Sequence, residues 1–156
     1  MNSLSEQIRH LLEESRDPAA AIQESLRLIL ARFDSETGTI HRLDPGLRLL
    51  HLVVEVGLPP ALLEVVKTIP VGKGIAGQTV ARGEPVSICN LQTDATGTAR
   101  PAARQTGVGG ALCVPIRAGD VIVGALGIGT LRQHEYTAEQ TKELEELGRL
   151  ISPYVT

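Results

Sequence analysis

Aromatic residues are almost absent from this sequence. The 156 residues include one Phe, two Tyr and no Trp, and aromatics make up 2% of the chain. Proteins that read single-stranded nucleic acid stack the bases on aromatic rings, and cages for quaternary ammonium ions need several rings. Phe33, Tyr136 and Tyr154 are too few and too widely spaced to supply either kind of site.

An excess of positive charge is also lacking. Fifteen Lys and Arg stand against eighteen Asp and Glu, which gives a net charge of −3 and an isoelectric point near 5.8. A surface that binds duplex nucleic acid normally shows as a basic excess or a basic stripe. We therefore expect no nucleic-acid partner.

Long apolar runs and a rich set of cysteines are missing as well. No segment reaches the ~18 apolar residues of a membrane span, and the N-terminus lacks the basic and apolar regions of a secretory signal. The two cysteines, Cys89 and Cys113, indicate free thiols rather than a disulfide framework. We expect a cytoplasmic protein that does not associate with membranes.

The hydrophobic pattern predicts helices at both ends of the chain. Ser3 and Asp17 are candidate N-caps, and helical apolar stripes follow each of them. Near the C-terminus, Thr137 and Gln140 have the spacing of a capping box. Between these helices, the sequence alternates strand-like segments with glycine-rich turns, and the clearest hairpin spans 111–130.

Hairpins imply antiparallel pairing, so the predicted fold class is α+β rather than a doubly wound parallel sheet. Alternation on the strand 112–116 is expected to turn Leu112, Val114 and Ile116 towards the helices. The small residues between them, including Cys113, would then face the other side and leave room there for a pocket.

A literal dinucleotide-binding motif occurs at Gly72, Gly74 and Gly77. The helix that follows ends at Gly83, which is too short for the crossover helix of a parallel βαβ unit. We therefore interpret the three glycines as a tight entry from a strand into a short helix.

Residues 90–108 show little hydrophobic periodicity, and such a long irregular connection is typically functional. Their polar side chains are candidate ligand groups, and Arg104 has the fork geometry to hold a carboxylate. The alternative to a binding role is an ordinary polar loop in contact with solvent. Together with the strand residue Cys113, the predicted ligand-binding residues are Asp94, Thr98, Arg100, Arg104 and Gln105.

Two segments resemble the GAF domain, a small-molecule sensor module of signalling proteins. The first is the run 69–88, IPVGKGIAGQTVARGEPVSI, and the second is the hairpin GALCVPI followed by VIVGALGI at 110–128. The resemblance covers roughly residues 18–155. It implies a sheet of five or six antiparallel strands, with the terminal helices on one face and a loop-covered ligand pocket on the other.

On this basis we assign residues 1–17 to an N-terminal helical extension and 18–156 to a GAF-like sensor domain. The expected function is non-enzymatic: the domain binds a small ligand, whose identity the sequence does not give, and signals through its terminal helices to another protein. No catalytic residue, metal ligand or cofactor is assigned.

Enzymatic and cofactor-binding members of the GAF family suggest alternatives to this non-enzymatic function. Free methionine-(R)-sulfoxide reductases use a cysteine set, and this sequence has Ala76 where the resemblance places a Cys. Bilin-, haem- and cyclic-nucleotide-binding members need Cys, His or signature residues that are absent from 90–108. His41, His51 and His134 are interpreted as surface or hydrogen-bonded histidines away from the pocket.

Cys89 and Cys113 are both expected in strands. If the sheet brought them together, they would form a redox pair, and the protein would be a thiol sensor. The commoner role of such residues is as two buried thiols that act as small hydrophobes.

The terminal helices carry more apolar surface than one face of a small sheet needs, which favours a homodimer through a helical bundle. The residues predicted at that interface are Leu4, Ile8, Leu11, Leu12, Leu147, Ile151 and Tyr154.

Overall fold

The computed structural model of the protein describes residues 3–89 and 109–155. Six strands form one sheet in the order β3-β2-β1-β6-β5-β4, and every neighbouring pair is antiparallel. The strands are β1 (Thr37–Asp44), β2 (Leu49–Val56), β3 (Thr68–Pro70), β4 (Val86–Ile88), β5 (Ala111–Ala118) and β6 (Val121–Gly129). The helices are α1 (Leu4–Glu14), α2 (Pro18–Arg32), α3 (Leu63–Val66), α4 (Gly74–Arg82) and α5 (Ala138–Ile151). The predicted α+β class is confirmed.

The three long helices begin at the predicted caps. The Ser3 hydroxyl accepts a hydrogen bond from the backbone N–H of Glu6 at 3.2 Å, and the Asp17 carboxylate caps α2 in the same way. At α5 both bonds of the capping box form between Thr137 and Gln140, at 2.9 and 3.0 Å. These local bonds explain why the helix starts could be predicted from the sequence.

One face of the sheet carries α1, α2 and α5, and the hydrophobic core lies between these helices and the strands. Leu112, Val114 and Ile116 are fully buried in that core, as the alternation predicted. On β1 and β6, Ile40 and Leu126 meet the same helices. Within residues 3–89 and 109–155, this core contains twenty buried residues from both ends and the middle of the sequence.

The helix α1 belongs to that core. Its residues Ile8 and Leu12 are buried against α2 and α5. Four of the seven predicted dimer residues, Ile8, Leu12, Leu147 and Ile151, are therefore buried inside their own chain. They do not reach the surface of the chain while α1 stays docked, and the interface itself stays a prediction. Leu4, Leu11 and Tyr154 remain partly exposed.

Among the described residues, the short helices α3 and α4 cover a part of the opposite face of the sheet. The glycine-rich segment places α4 there, because a Cβ atom at Gly77 would lie only 2.5 Å from the carbonyl oxygen of Pro70. Gly83 ends α4 in the left-handed region at φ +68°, where glycine is favoured. The glycines thus build the close strand-to-helix entry that we predicted.

None of the helices in the described ranges, 3–89 and 109–155, is long and apolar enough to cross a membrane.

Candidate ligand cavity

A cavity of about 140 Å³ lies between the exposed face of the sheet and the short helices α3 and α4. Strands β1, β3, β5 and β6 supply its floor, while α3, α4 and the segment after β2 supply its sides. The described residues that line it are Thr37, Gly38, Thr39, His41, Leu58, Val66, Ile69, Ile75, Ala76, Ala111, Leu112, Cys113, Gly127, Ile128 and Gly129.

The space exists because the residues on this side of the central strands are small. In the sheet register, Cys113 faces Gly127, and Gly127 faces Thr39. A Cβ atom at Gly127 would lie 3.2 Å from the Thr39 hydroxyl oxygen and 3.7 Å from the Cys113 sulfur. Larger side chains at these positions would fill the floor of the cavity. The small residues seen in the sequence of β5 and β6 therefore do mark the cavity.

The wall is almost entirely apolar. Its described polar side chains are those of Thr37, Thr39, His41 and Cys113. Among the described lining residues there is no Asp, Glu, Lys or Arg, so this part of the wall offers no ion-pair partner to a charged ligand. An unpaired charge taken into such a wall would lose its hydration without compensation.

Cys113 is a buried, protonated thiol. Burial raises its pKa to about 12, and a hydrogen bond with the side chain of Thr79 offsets a part of the rise. Thr79 is itself buried and donates its hydroxyl hydrogen to the carbonyl oxygen of Ile75 in α4. Since the thiolate is the nucleophilic form, Cys113 is chemically quiet near neutral pH.

His41 is a cavity residue that the sequence interpretation missed. It is only 1% exposed and hydrogen-bonded, as one of the two expected alternatives had it, but it lines the cavity rather than lying away from the pocket. The missed signal was its place on β1, where residues 37, 39 and 41 alternate onto the cavity face with the period of a strand.

The tautomer of His41 follows from its one hydrogen bond. Its Nε2 lies 2.8 Å from the carbonyl oxygen of Val66, and a carbonyl can only accept, so Nε2 carries the hydrogen. Burial lowers the pKa of His41, and the nearby His51 acts in the same direction. Nδ1 is therefore a bare acceptor, and it is buried with no hydrogen-bond partner among the residues that the structure describes.

The other candidate ligand groups, Asp94, Thr98, Arg100, Arg104 and Gln105, lie outside the described residues. Of the predicted binding set, the structure therefore places Cys113 alone, in the floor of the cavity.

The two cysteines are not brought together. Both are free; Cys113 is buried, but Cys89 is exposed, contrary to the expectation of two buried thiols. Cys113 faces Val86 across the β4–β5 ladder, and Cys89 follows Val86 by three residues, which is about 10 Å along a strand. A disulfide requires Cα atoms within about 7 Å, so this arrangement does not form the redox pair.

His41 and Cys113 do not form a catalytic pair either. Thr39, which shares a register line with Cys113, is two strands away from it, and His41 lies two residues further along β1. This separates the two residues by roughly 10 Å across the sheet and 7 Å along it. Within ranges 3–89 and 109–155, no three His, Cys, Asp or Glu residues are placed to hold a metal ion.

Solved structures with this architecture include both sensor domains and enzymes. The GAF domain of a phosphoenolpyruvate-protein phosphotransferase from Coxiella burnetii is 17% identical, with a TM-score of 0.81, over 97% of this chain and 90% of that one. A free methionine-R-sulfoxide reductase from Neisseria meningitidis, in complex with its substrate, is 17% identical, with a TM-score of 0.78, over 97% and 86% of the two chains.

At this level of identity, these likenesses show the fold alone. No curated protein matches the sequence. A family model described as the GAF domain matches residues 15–155, which is nearly the whole chain. Together with the six-stranded antiparallel sheet and its helix-covered face, this match shows that the chain belongs to the GAF domain family.

Proposed function

We propose that this protein is a non-enzymatic sensory domain that binds a small ligand in the cavity and relays its presence through the terminal helices. The observation that carries the proposal is the cavity itself. It lies on the sheet face opposite α1, α2 and α5, and its floor consists of small residues of β5 and β6.

Strand β5 provides a physical route from the cavity to α5. Cys113 lines the cavity, while Leu112 and Val114 on either side of it are buried in the core that α5 shares. The backbone of α5 also approaches closely, because a Cβ atom at Gly148 would lie 3.7 Å from Ile116. A ligand that shifts β5 must therefore also shift the packing of α5, since close-packed cores transmit strain.

The chemistry of the lining supports binding rather than turnover. Cys113, with a pKa raised to about 12 by burial, is a poor nucleophile. His41 is too far from Cys113 to take its proton, since general-base catalysis needs contact at hydrogen-bond distance or through one water.

Thermal unfolding in the presence of a panel of small metabolites tests the proposal, because a ligand that binds only the native state raises the unfolding temperature. Mass spectrometry of the natively purified protein should identify what co-purifies. The variant Cys113→Leu should fill the floor and abolish the shift, while Cys89→Leu, at an exposed position, should keep it. If no compound shifts the wild type and nothing co-purifies, the domain is a scaffold and not a sensor.

The likeness to sulfoxide reductases defines the alternative function. Free methionine-(R)-sulfoxide should be incubated with the protein and excess dithiothreitol, and methionine should be measured. We expect no turnover above the rate without protein, and Cys89→Ser and Cys113→Ser should change nothing. Turnover that is lost in Cys113→Ser would replace the sensor proposal with the enzyme.

The predicted homodimer is kept as a proposal in a reduced form. Of the predicted residues, Leu4, Leu11 and Tyr154 remain partly exposed and available to a second copy. Light scattering at high concentration should show a dimer that Leu11→Glu weakens, while Leu47→Glu, at an exposed position in the β1–β2 turn, should have no effect. If the wild type is a monomer, the dimer proposal is wrong, but the proposal of ligand binding in the cavity is unaffected.

A further inference from the structure

One residue of the cavity lining, His41, has a polar side-chain atom without a hydrogen-bond partner in the part of the chain that the structure describes. His41 Nδ1 is buried, and no described group donates a hydrogen bond to it. Leaving a buried acceptor unpaired destabilises the folded state, so an atom of this kind calls for an explanation such as a water or a ligand. The residue that bears it, His41, is one of the residues that line the cavity.

The remaining described wall restricts what the partner can be. Apart from the side chains of Thr37, Thr39 and Cys113, it is built from aliphatic side chains and glycine backbone, and none of its described side chains is charged. The volume of about 140 Å³ is close to that of an engineered cavity of ~150 Å³ that binds benzene. The described part of the wall therefore favours a compact, uncharged ligand whose surface is mostly hydrocarbon.

The tautomer of the His41 imidazole decides whether the ligand must donate or accept the hydrogen bond. Nε2 is committed as a donor to the Val66 carbonyl at 2.8 Å, so the ring presents only an acceptor at Nδ1. A ligand must bring the hydrogen. A carbonyl, ether or sulfoxide oxygen in the same place would face a lone pair and gain nothing.

We propose that the cavity selects a small, uncharged, largely apolar ligand that carries one hydrogen-bond donor, such as a phenol or a short alcohol, and that His41 Nδ1 accepts this hydrogen bond. The inference rests on the proposed function, because it specifies the ligand class of the same cavity. His41 is thereby a specificity-determining residue.

Binding also involves a local movement. Nδ1 is sealed from solvent in the unliganded wall, so the donor reaches it only when neighbouring side chains give way. Side-chain adjustments of this size are common on binding. We expect the backbone NMR signal of Val66, whose carbonyl oxygen accepts the hydrogen bond of His41, to shift with that of His41.

Phenol and toluene are the matched probes, since they have nearly the same shape but only phenol donates a hydrogen bond. Their affinities are measured by NMR titration of wild type, His41→Phe and His51→Phe. His51 is a half-exposed histidine on β2, outside the cavity lining, and serves as the control. Free methionine sulfoxide is the charged third probe.

We expect phenol to bind the wild type and the His51→Phe variant at least as tightly as toluene. In His41→Phe the ratio of the two affinities should shift by about tenfold or more towards toluene, because the phenol hydroxyl then loses water without gaining an acceptor. The methionine sulfoxide zwitterion should bind none of the three proteins measurably.

The outcomes separate the two proposals. If neither phenol nor toluene binds and the metabolite panel also fails, the sensor proposal itself fails. If both bind and the ratio is the same in His41→Phe, or if methionine sulfoxide binds most tightly, the cavity is a site but the inferred ligand class is wrong. If His41→Phe does not fold, the ¹⁵N resonance of Nδ1 in the wild type decides, because it must move with phenol and stay with toluene.

Discussion

The two faces of the sheet are formed by the same strands but differ in the size and packing of their side chains. Towards α1, α2 and α5, the strands present large aliphatic side chains such as Ile40, Leu112 and Leu126, which are buried and closely packed. Towards α3 and α4, the same strands present Thr39, Cys113 and glycine, and a cavity remains. The difference shows that a single residue step along a strand separates the stabilising half of this molecule from its candidate binding half.

The largest expected difference between the faces concerns large-to-small substitutions. Ile40→Ala removes a fully buried side chain from the helix-covered face and should cost about 3–5 kcal/mol of unfolding free energy. Ile69→Ala, on the cavity wall, should cost about 2 kcal/mol or less, because its side chain already lacks neighbours on one side. Urea unfolding of both variants measures the difference, and equal costs would mean that the cavity closes in solution.

Replacing glycine by alanine tests the same difference between the two faces by adding a methyl group instead of removing one. A Cβ atom at Gly38 would lie 2.9 Å from Leu26 Cδ1 in the packed core, so Gly38→Ala should destabilise the protein by about 1–3 kcal/mol. At Gly127 the nearest atom is the Thr39 hydroxyl oxygen at 3.2 Å, with the cavity beyond it. Gly127→Ala should therefore cost less than about 1 kcal/mol but weaken the binding of toluene, which NMR titration would detect.

A pH effect should originate on the cavity face. Burial places the pKa of His41 below its ordinary value of 6.5 in the folded protein. As the pH falls below about 6.5, the unfolded chain binds a proton before the folded one does, so stability decreases with falling pH. The stability that the neutral, buried His41 contributes is fully present at a pH above the pKa of this residue in the unfolded chain. It is lost progressively as the pH falls to the lower pKa of His41 in the folded protein.

Urea unfolding of wild type and His41→Phe at pH 7.5 and 5.0 checks this assignment. The wild type should lose more unfolding free energy than the variant over this interval. Tyr136, the titratable residue of the helix-covered core, has a pKa raised above 10 by burial and contributes nothing in this range. Equal losses in both proteins would place the pH dependence elsewhere.

The smallest effect is a difference in thiol reactivity. With a thiol-disulfide reagent at pH 8, Cys89 should react at once, since it is exposed. Cys113 should react only as the protein unfolds, because burial and a pKa raised to about 12 keep it protonated and covered. If two thiols per chain react rapidly in the native state, Cys113 and the cavity floor are open to the reagent. The native Cys89→Ser variant should show no rapidly reacting thiol.

Much of the fold could be predicted because its signals are local. The caps at Ser3, Asp17 and Thr137 and the stop at Gly83 depend on bonds and backbone angles within a few residues. The alternation in β5 assigned its two faces correctly for the same reason. The family resemblance then supplied the order of these elements and the position of the pocket.

Contacts between distant parts of the chain could not be predicted. An apolar stripe on α1 is the same pattern whether it covers a partner or its own core, and only the docking against α2 and α5 showed that Ile8 and Leu12 pack internally. Likewise, both cysteines were predicted in strands, but Cys89 follows the end of β4, and only the register, which sets Cys113 opposite Val86, shows that the two are apart.

By itself, then, the sequence determined the elements, the class of fold and the two-faced character of the central strands, because periodicity and capping are properties of neighbouring residues. The tertiary structure alone decided that His41 lines a cavity, with one nitrogen bonded to Val66 and the other without a partner among the described residues. The partner of His41 is 25 residues away in the chain, and no local pattern specifies which distant carbonyl a buried imidazole will meet.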